Sequence, residues 1–173
     1  MMRFVRYVVL ALTFTLGGTM TASTAQSASC ASPEYRQFDF WLGDWEVFNF
    51  SGGKKGALAG TNQITKELGG CVLQEHWTGS QGGHGTSFNT SQPNEKKWHQ
   101  DWVDDSGTFL NLIGEFKDCS MVLSGEQPGA GITDRITWSL VDNDPKQVRQ
   151  FWQQSRDGGK TWSVAFDGLY VRK

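Results

Sequence analysis

The stretch F-D-F-W-L-G-D-W-E-V, residues 38–47, decides the fold. Two tryptophans flank a Leu-Gly step, and the residues after it alternate between apolar and polar, so a short helical or turn segment feeds an antiparallel β-strand. Upstream, Pro33 opens a mixed polar and apolar run to Leu42 that allows one or two helical turns. Downstream, alternation with period two recurs and long period-3.6 patterns do not. Candidate strands cover residues 44–50, 60–68, 71–78, 85–90, 97–104, 108–116, 121–124, 134–141, 147–155 and 161–172. Turn formers separate them, among them Ser51-Gly52-Gly53, Gln81-Gly82-Gly83, Asp105-Ser106-Gly107 and Asn143-Asp144-Pro145. Short, evenly spaced strands linked as hairpins make an antiparallel meander, which closes most simply into a barrel and so removes its exposed edges. The expected fold is all-β: an up-and-down barrel of about ten strands preceded by a short N-terminal helix.

The N-terminus sets the expected compartment. Arg3 and Arg6 precede an apolar run over residues 7–16, and small residues then lead to Ser23-Thr24-Ala25, the pattern of a cleaved secretory signal peptide. That run is shorter than the ~20 apolar residues a spanning helix needs, so no membrane insertion is expected. Residues 1–25 are read as signal peptide and 26–173 as a single barrel domain, secreted or periplasmic. The full chain has 16 basic and 18 acidic residues, and losing Arg3 and Arg6 makes the mature chain more acidic still. Nucleic acid and anionic membranes call for clustered Lys and Arg, and no such cluster exists, so neither is an expected partner. Nothing in the sequence speaks to oligomeric state.

Cys30, Cys71 and Cys119 all follow the expected cleavage site, so an exported chain should hold one disulfide and one leftover thiol. Three pairings are open. Cys30 with Cys71 is favoured, because it would pin the N-terminal arm to a strand start after Gly69-Gly70. Cys119 falls in the turn Lys117-Asp118-Cys119-Ser120, where a free thiol costs little. The spacings lack the paired C-x-x-C of a zinc site.

Residues 155–162, S-R-D-G-G-K-T-W, match the Asp-box pattern, in which an aspartate accepts hydrogen bonds within a tight turn closed by a tryptophan. It recurs in each blade of sialidase propellers; a single copy in a chain this short reads as a well-made hairpin. No G-x-S-x-G elbow, H-E-x-x-H, Walker loop or Rossmann glycine pattern is present. His76, His84 and His99 are dispersed and read as surface residues, and no metal or cofactor is expected.

Several motifs together carry a family resemblance. They are the 38–47 opening, Gly69-Gly70-Cys71, W-x-Q-x-W-V-D over 98–104, R-I-T-W over 135–138, V-R-Q-x-W with the Asp-box over 148–162, and F-D-G-x-Y over 166–170. Across nearly the whole mature chain this resembles a bacterial family of secreted and cytoplasmic proteins defined as a domain of unknown function. The resemblance implies a lipocalin-like, or calycin-like, barrel and brings no catalytic residue. Relatives tend to have Gly or another turn residue where this chain has Cys119. The opening is also similar to the L-G-x-W start of nitrobindin-like heme barrels; those place their heme histidine in the C-terminal part, where this chain has none after His99.

Strand parity tells which side chains enter the barrel, because successive residues face opposite sides of the wall. The inward sets are Leu73, Glu75 and Trp77; Trp98, Gln100 and Trp102; Ile136, Trp138 and Leu140; and Val148, Gln150 and Trp152. His76 and His99 point outward. Two readings of the interior compete. In one, Glu75, Gln100 and Gln150 merely accept hydrogen bonds from buried indoles. In the other, Glu75, Trp77, Trp98, Gln100, Trp102, Trp138, Gln150 and Trp152 line a cavity for a small amphipathic or aromatic ligand. A carboxylate buried against tryptophan has a raised pKa unless a cation pairs with it. Hence three function classes stay open: a secreted binding barrel, a small barrel enzyme with Glu75 as general acid or base, and a structural envelope protein without ligand.

Overall fold

The computed structural model describes residues 30–173, so the expected signal peptide lies outside the described residues. Ten antiparallel strands follow one another around a closed barrel: β1 (Gly43–Ser51), β2 (Lys54–Glu67), β3 (Val72–Gly79), β4 (His84–Gln92), β5 (Lys97–Asp104), β6 (Phe109–Lys117), β7 (Ser120–Gln127), β8 (Ile132–Val141), β9 (Asp144–Ser155) and β10 (Ser163–Arg172). Each strand pairs with its neighbour in sequence, and β1 closes the ring on β10 with Trp45 opposite Arg172 and Val47 opposite Tyr170. The up-and-down barrel expected from the alternation is therefore formed, with every expected strand in place.

The ends of the strands differ from expectation for local reasons. β2 starts six residues early, at Lys54, because a tight turn at Gly52 and Gly53, both at positive φ, lets it pair immediately with the end of β1. Two register shifts then bend this hairpin near Phe48. β10 starts late, at Ser163, because Thr161 belongs to the Asp-box: its amide and its hydroxyl donate to Asp157, at 2.9 and 2.6 Å. Gly159 N–H donates to Ser155 Oγ at 2.8 Å and the Trp162 indole to Gly159 O at 3.0 Å, so the motif is spent on its own turn. Bonds from Thr161, then Ser155 and Lys160, hold the Asp157 carboxyl down at about 2.

The helical stretch before β1 resolves into two single 3-10 turns, Pro33–Arg36 and Asp39–Trp41. They plug one end of the barrel. Phe38 and Trp41 are wholly buried there, their rings stacked with centroids 4.8 Å apart. The disulfide joins Cys30 to Cys71, as the sequence reading favoured, and Cys119 is free and exposed. Arg36 ties the same corner, donating to Cys30 O at 2.8 Å and to Gly70 O at 3.3 Å. No helix among the described residues is long and apolar enough to cross a membrane.

Candidate functional site

The barrel interior divides along its axis. At the plugged end, Phe38 meets Trp98 edge-on at 5.7 Å and Trp138 at 5.3 Å, while Trp45 donates its indole N–H to Trp41 O at 2.9 Å. At the opposite end, under the turns that join β3 to β4, β5 to β6 and β9 to β10, lies a cavity of about 320 Å³. Its wall is mainly Trp77, Trp102, Trp138, Trp152, Phe166 and Tyr170, with Leu110, Ile136 and Ala165 between them and Glu75, Gln100, Asp104 and Gln150 as the polar groups.

Seven of the residues predicted to share an interior thus meet around one space: Glu75, Trp77, Gln100, Trp102, Trp138, Gln150 and Trp152. Trp98 is the correction. It faces inward as parity requires, but its register places it beside the plug, where Phe38 covers it and its indole donates to Gln37 Oε1 at 3.0 Å. His76 is exposed and His99 lies on the outer side, 3.5 Å from Glu95. Among the described residues no group of three or more His, Cys, Asp or Glu could hold a metal ion.

The rings lie against the wall because glycines make room for them. A Cβ on Gly85 would sit 2.2 Å from the Trp102 ring, and one on Gly60 would sit 2.7 Å from the Trp77 ring. With those side chains absent, the indoles cover the strands and leave the middle of the barrel open.

Hydrogen bonding separates the wall from the polar groups it surrounds. The Trp102 indole donates to Asp104 at 3.3 Å and the Trp152 indole to the wholly buried Asp134 at 2.7 Å, an aspartate also held by Gln127 and Gln154. Indole N–H groups are one reason to bury Glu75, Gln100 and Gln150, yet Trp102, Trp152 and Trp98 donate to these two aspartates and Gln37, and the buried Trp138 Nε1 has no partner among the described residues. By sequence Asp104 ends the candidate strand 97–104 beside the Asp105-Ser106-Gly107 turn, and Asp134 starts the strand 134–141. Asp104 keeps its turn role, accepting from Ser106 and Thr108 amides at 3.0 Å, and serves the cavity as well. Burial alone would raise its pKa, but the bonds from Ser106, Thr108 and Trp102 outweigh it and hold the carboxyl below its ordinary value.

Glu75 stands in a polar network built by β2, β4, β5 and β10. Asn62 donates to its Oε1 at 2.6 Å and Ser87 to its Oε2 at 2.7 Å. Behind Ser87, Asn89 donates to Ser87 Oγ at 2.9 Å and Gln100 to Asn89 Oδ1 at 2.8 Å. Tyr170 closes the ring, accepting from Asn62 at 3.2 Å and donating to Gln150 Oε1. Burial pushes the Glu75 carboxyl up to about 7, against the pull of Ser87 and Asn62. Burial and the charge on Glu75 push the Tyr170 phenol well above its usual range. Asn62, Ser87, Asn89 and Tyr170 were missed as site residues; inward parity opposite Glu75 was the signal that would have found the first two, since Glu75 pairs with Ile64 and Ser87 on its neighbours. Gln100 Oε1 and the Gln150 amide nitrogen have no partner among the described residues, and both residues line the cavity.

The class these features define is a closed all-β barrel with a plugged end and an aromatic cavity at the other. No family model matches the chain, and no curated protein matches its sequence.

Proposed function

We propose that this chain is an exported, lipocalin-like barrel that binds one small amphipathic or aromatic molecule in the cavity above the plug. One observation carries the reading: the wall indoles of Trp102 and Trp152 donate to Asp104 and Asp134, so Glu75, Gln100 and Gln150, which bond to Asn62, Ser87, Asn89 and Tyr170, line an open space of about 320 Å³ without serving the indoles. A volume of that size, with aromatic walls and a few placed polar groups, suits a small ligand. A structural envelope role calls for a filled barrel, and the cavity weighs against it. Export is supported by the charged and apolar N-terminus and by a disulfide, which persists in oxidising compartments. The motif resemblance to a calycin-like family belongs to the same proposal.

Tryptophan emission titrated with a panel of small aromatic and amphipathic metabolites tests this reading. A saturable change is expected, and Trp77→Ala and Trp102→Ala should weaken it at least tenfold while His99→Ala leaves it intact. Emission that responds to nothing would sink the reading, and equal effects from all three variants would mean that the site lies elsewhere.

A second reading keeps the cavity and adds chemistry. A carboxyl held near 7 in an aromatic pocket has the proton affinity of a general acid or base at neutral pH. Glu75→Gln preserves its shape and removes ionisation, so turnover of any substrate found should fall at least a hundredfold; turnover that survives would exclude the role.

A further inference from the structure

The charge inventory of the cavity goes one step beyond the binding reading, and rests on it. Two carboxyl groups, Glu75 and Asp104, line the cavity, and no Lys, Arg or His does so among the described residues. Asp104 is fixed by its turn and by the Trp102 indole. Glu75 accepts only neutral donors, Asn62 and Ser87, so its charge has no counter-ion in the protein. The remaining titratable group facing it is Tyr170 of β10, which is neutral and donates away to Gln150. From β2 it meets Asn62, from β4 Ser87, and through Ser87 it meets Gln100 of β5. Aspartate 134 of β8 is turned into its own cluster behind Trp152.

The walls add the same sign. Aromatic faces carry negative potential, so a cation placed over them in a desolvated site is attracted. Trp77, Trp102 and Trp152 present that wall beside the two carboxyl groups. An anion entering the cavity would meet carboxylates and π faces with no positive partner, and the neutral Gln150 amide would be left to replace its hydration. A neutral molecule would leave Glu75 either protonated or uncompensated.

We propose that the ligand is an organic monocation, a quaternary ammonium or protonated amine carrying an apolar or aromatic group, with its charged end held between Glu75, Asp104 and the indole faces. Binding then pulls Glu75 into its ionised form and releases its proton, so affinity for such a cation rises with pH as Glu75 loses its proton. The amide nitrogen of Gln150 and the carbonyl of Gln100 remain to orient polar atoms on the rest of the molecule.

Three probes of one shape and different charge decide the matter: benzyltrimethylammonium, its neutral carbon isostere neopentylbenzene, and the anion phenylmethanesulfonate. Each is titrated into the intact protein at pH 5.5 and pH 8, followed by tryptophan emission and calorimetry. The cation is expected to bind at least tenfold tighter than the neutral probe at pH 8, to weaken several-fold at pH 5.5, and to release protons on binding, seen as a buffer-dependent heat. The anion should not bind. Glu75→Gln should lower cation affinity about tenfold and abolish its pH dependence while neutral-probe binding persists, which also shows that the variant is folded. Should the neutral probe bind as tightly as the cation, or the anion bind best, this inference falls and the binding barrel stands. If none of the three binds, both fall together.

Discussion

The two ends of this barrel are built from the same residue type and behave in opposite ways. At the plugged end Phe38 packs on Trp41, Trp98 and Trp138, Trp41 packs on Trp138, and Trp45 packs on Tyr170, with ring centroids around 5 Å apart in the closest pairs. At the other end Trp77, Trp102 and Trp152 enclose a space. The difference lies in what each ring faces. Near the plug an incoming segment supplies apolar partners, so the rings are sandwiched; at the cavity, glycines on neighbouring strands draw the rings back onto the wall. Tryptophan content therefore says little about whether a barrel is filled. Its neighbours across the strand and along the axis decide that.

The largest expected effect breaks the filled end. Trp41→Ala removes a wholly buried ring from the plug and should destabilise by about 3–5 kcal/mol, read as a lower urea midpoint. Trp102→Ala, on a half-exposed wall, should cost only about 1 kcal/mol and act mainly on ligand response. Equal stability losses would erase the distinction between the two ends.

The plug is also held covalently. Cys71→Ser opens a 41-residue loop and should lower stability by about 2–4 kcal/mol, with the emission of the cavity tryptophans unchanged in the folded protein. Alkylation of the unreduced wild-type chain should label Cys119 alone. Labelling at Cys30 or Cys71 would count against a stable bridge.

Glu75 gives the hollow end its own signature in pH. Its folded pKa lies above its unfolded value, so the stability it contributes is fully present below about 4.5 and is lost as pH rises through about 7. The loss is on the order of 3 kcal/mol, and Glu75→Gln should flatten stability across that window. A wild-type profile already flat between pH 4.5 and 7 would contradict the burial of an unpaired carboxyl.

Filling the space left by a glycine should convert one end into the other. Gly85→Ala puts a Cβ against the Trp102 ring, which must swing into the cavity; stability should fall by about 1–3 kcal/mol and probe binding should be lost. Unchanged binding would show that the ring is accommodated elsewhere. The smallest effect concerns the exposed turn between β6 and β7. Asp118 and Cys119 both have positive φ, and Cys119→Gly should relieve strain and raise stability by about 1 kcal/mol, measurable in urea.

Most of the fold was legible because the signals are local. Alternation tells which face a residue takes, and Gly, Asn and Asp pairs mark where a hairpin turns; each works within a few residues. Glu75 was legible as inward by the same rule. Its polar partners were less so, since Asn62 and Ser87 lie on other strands and their approach depends on register. Asp104 and Asp134 read locally as a strand end beside a turn and a strand start, and nothing in their own neighbourhood announces the indoles they accept from.

What the chain alone determined is the list of inward residues: Trp77, Trp98 and Trp102 share one parity, and a period of two cannot tell them apart. Only the closed barrel decided their depth. The tilt and stagger of the strands set Trp98 level with the plug and Trp77 and Trp102 level with Gly60 and Gly85. Depth along a barrel axis is a sum over the register of every strand pair, so it exists only once the ring has closed, and with it the division between a packed floor and an open cavity.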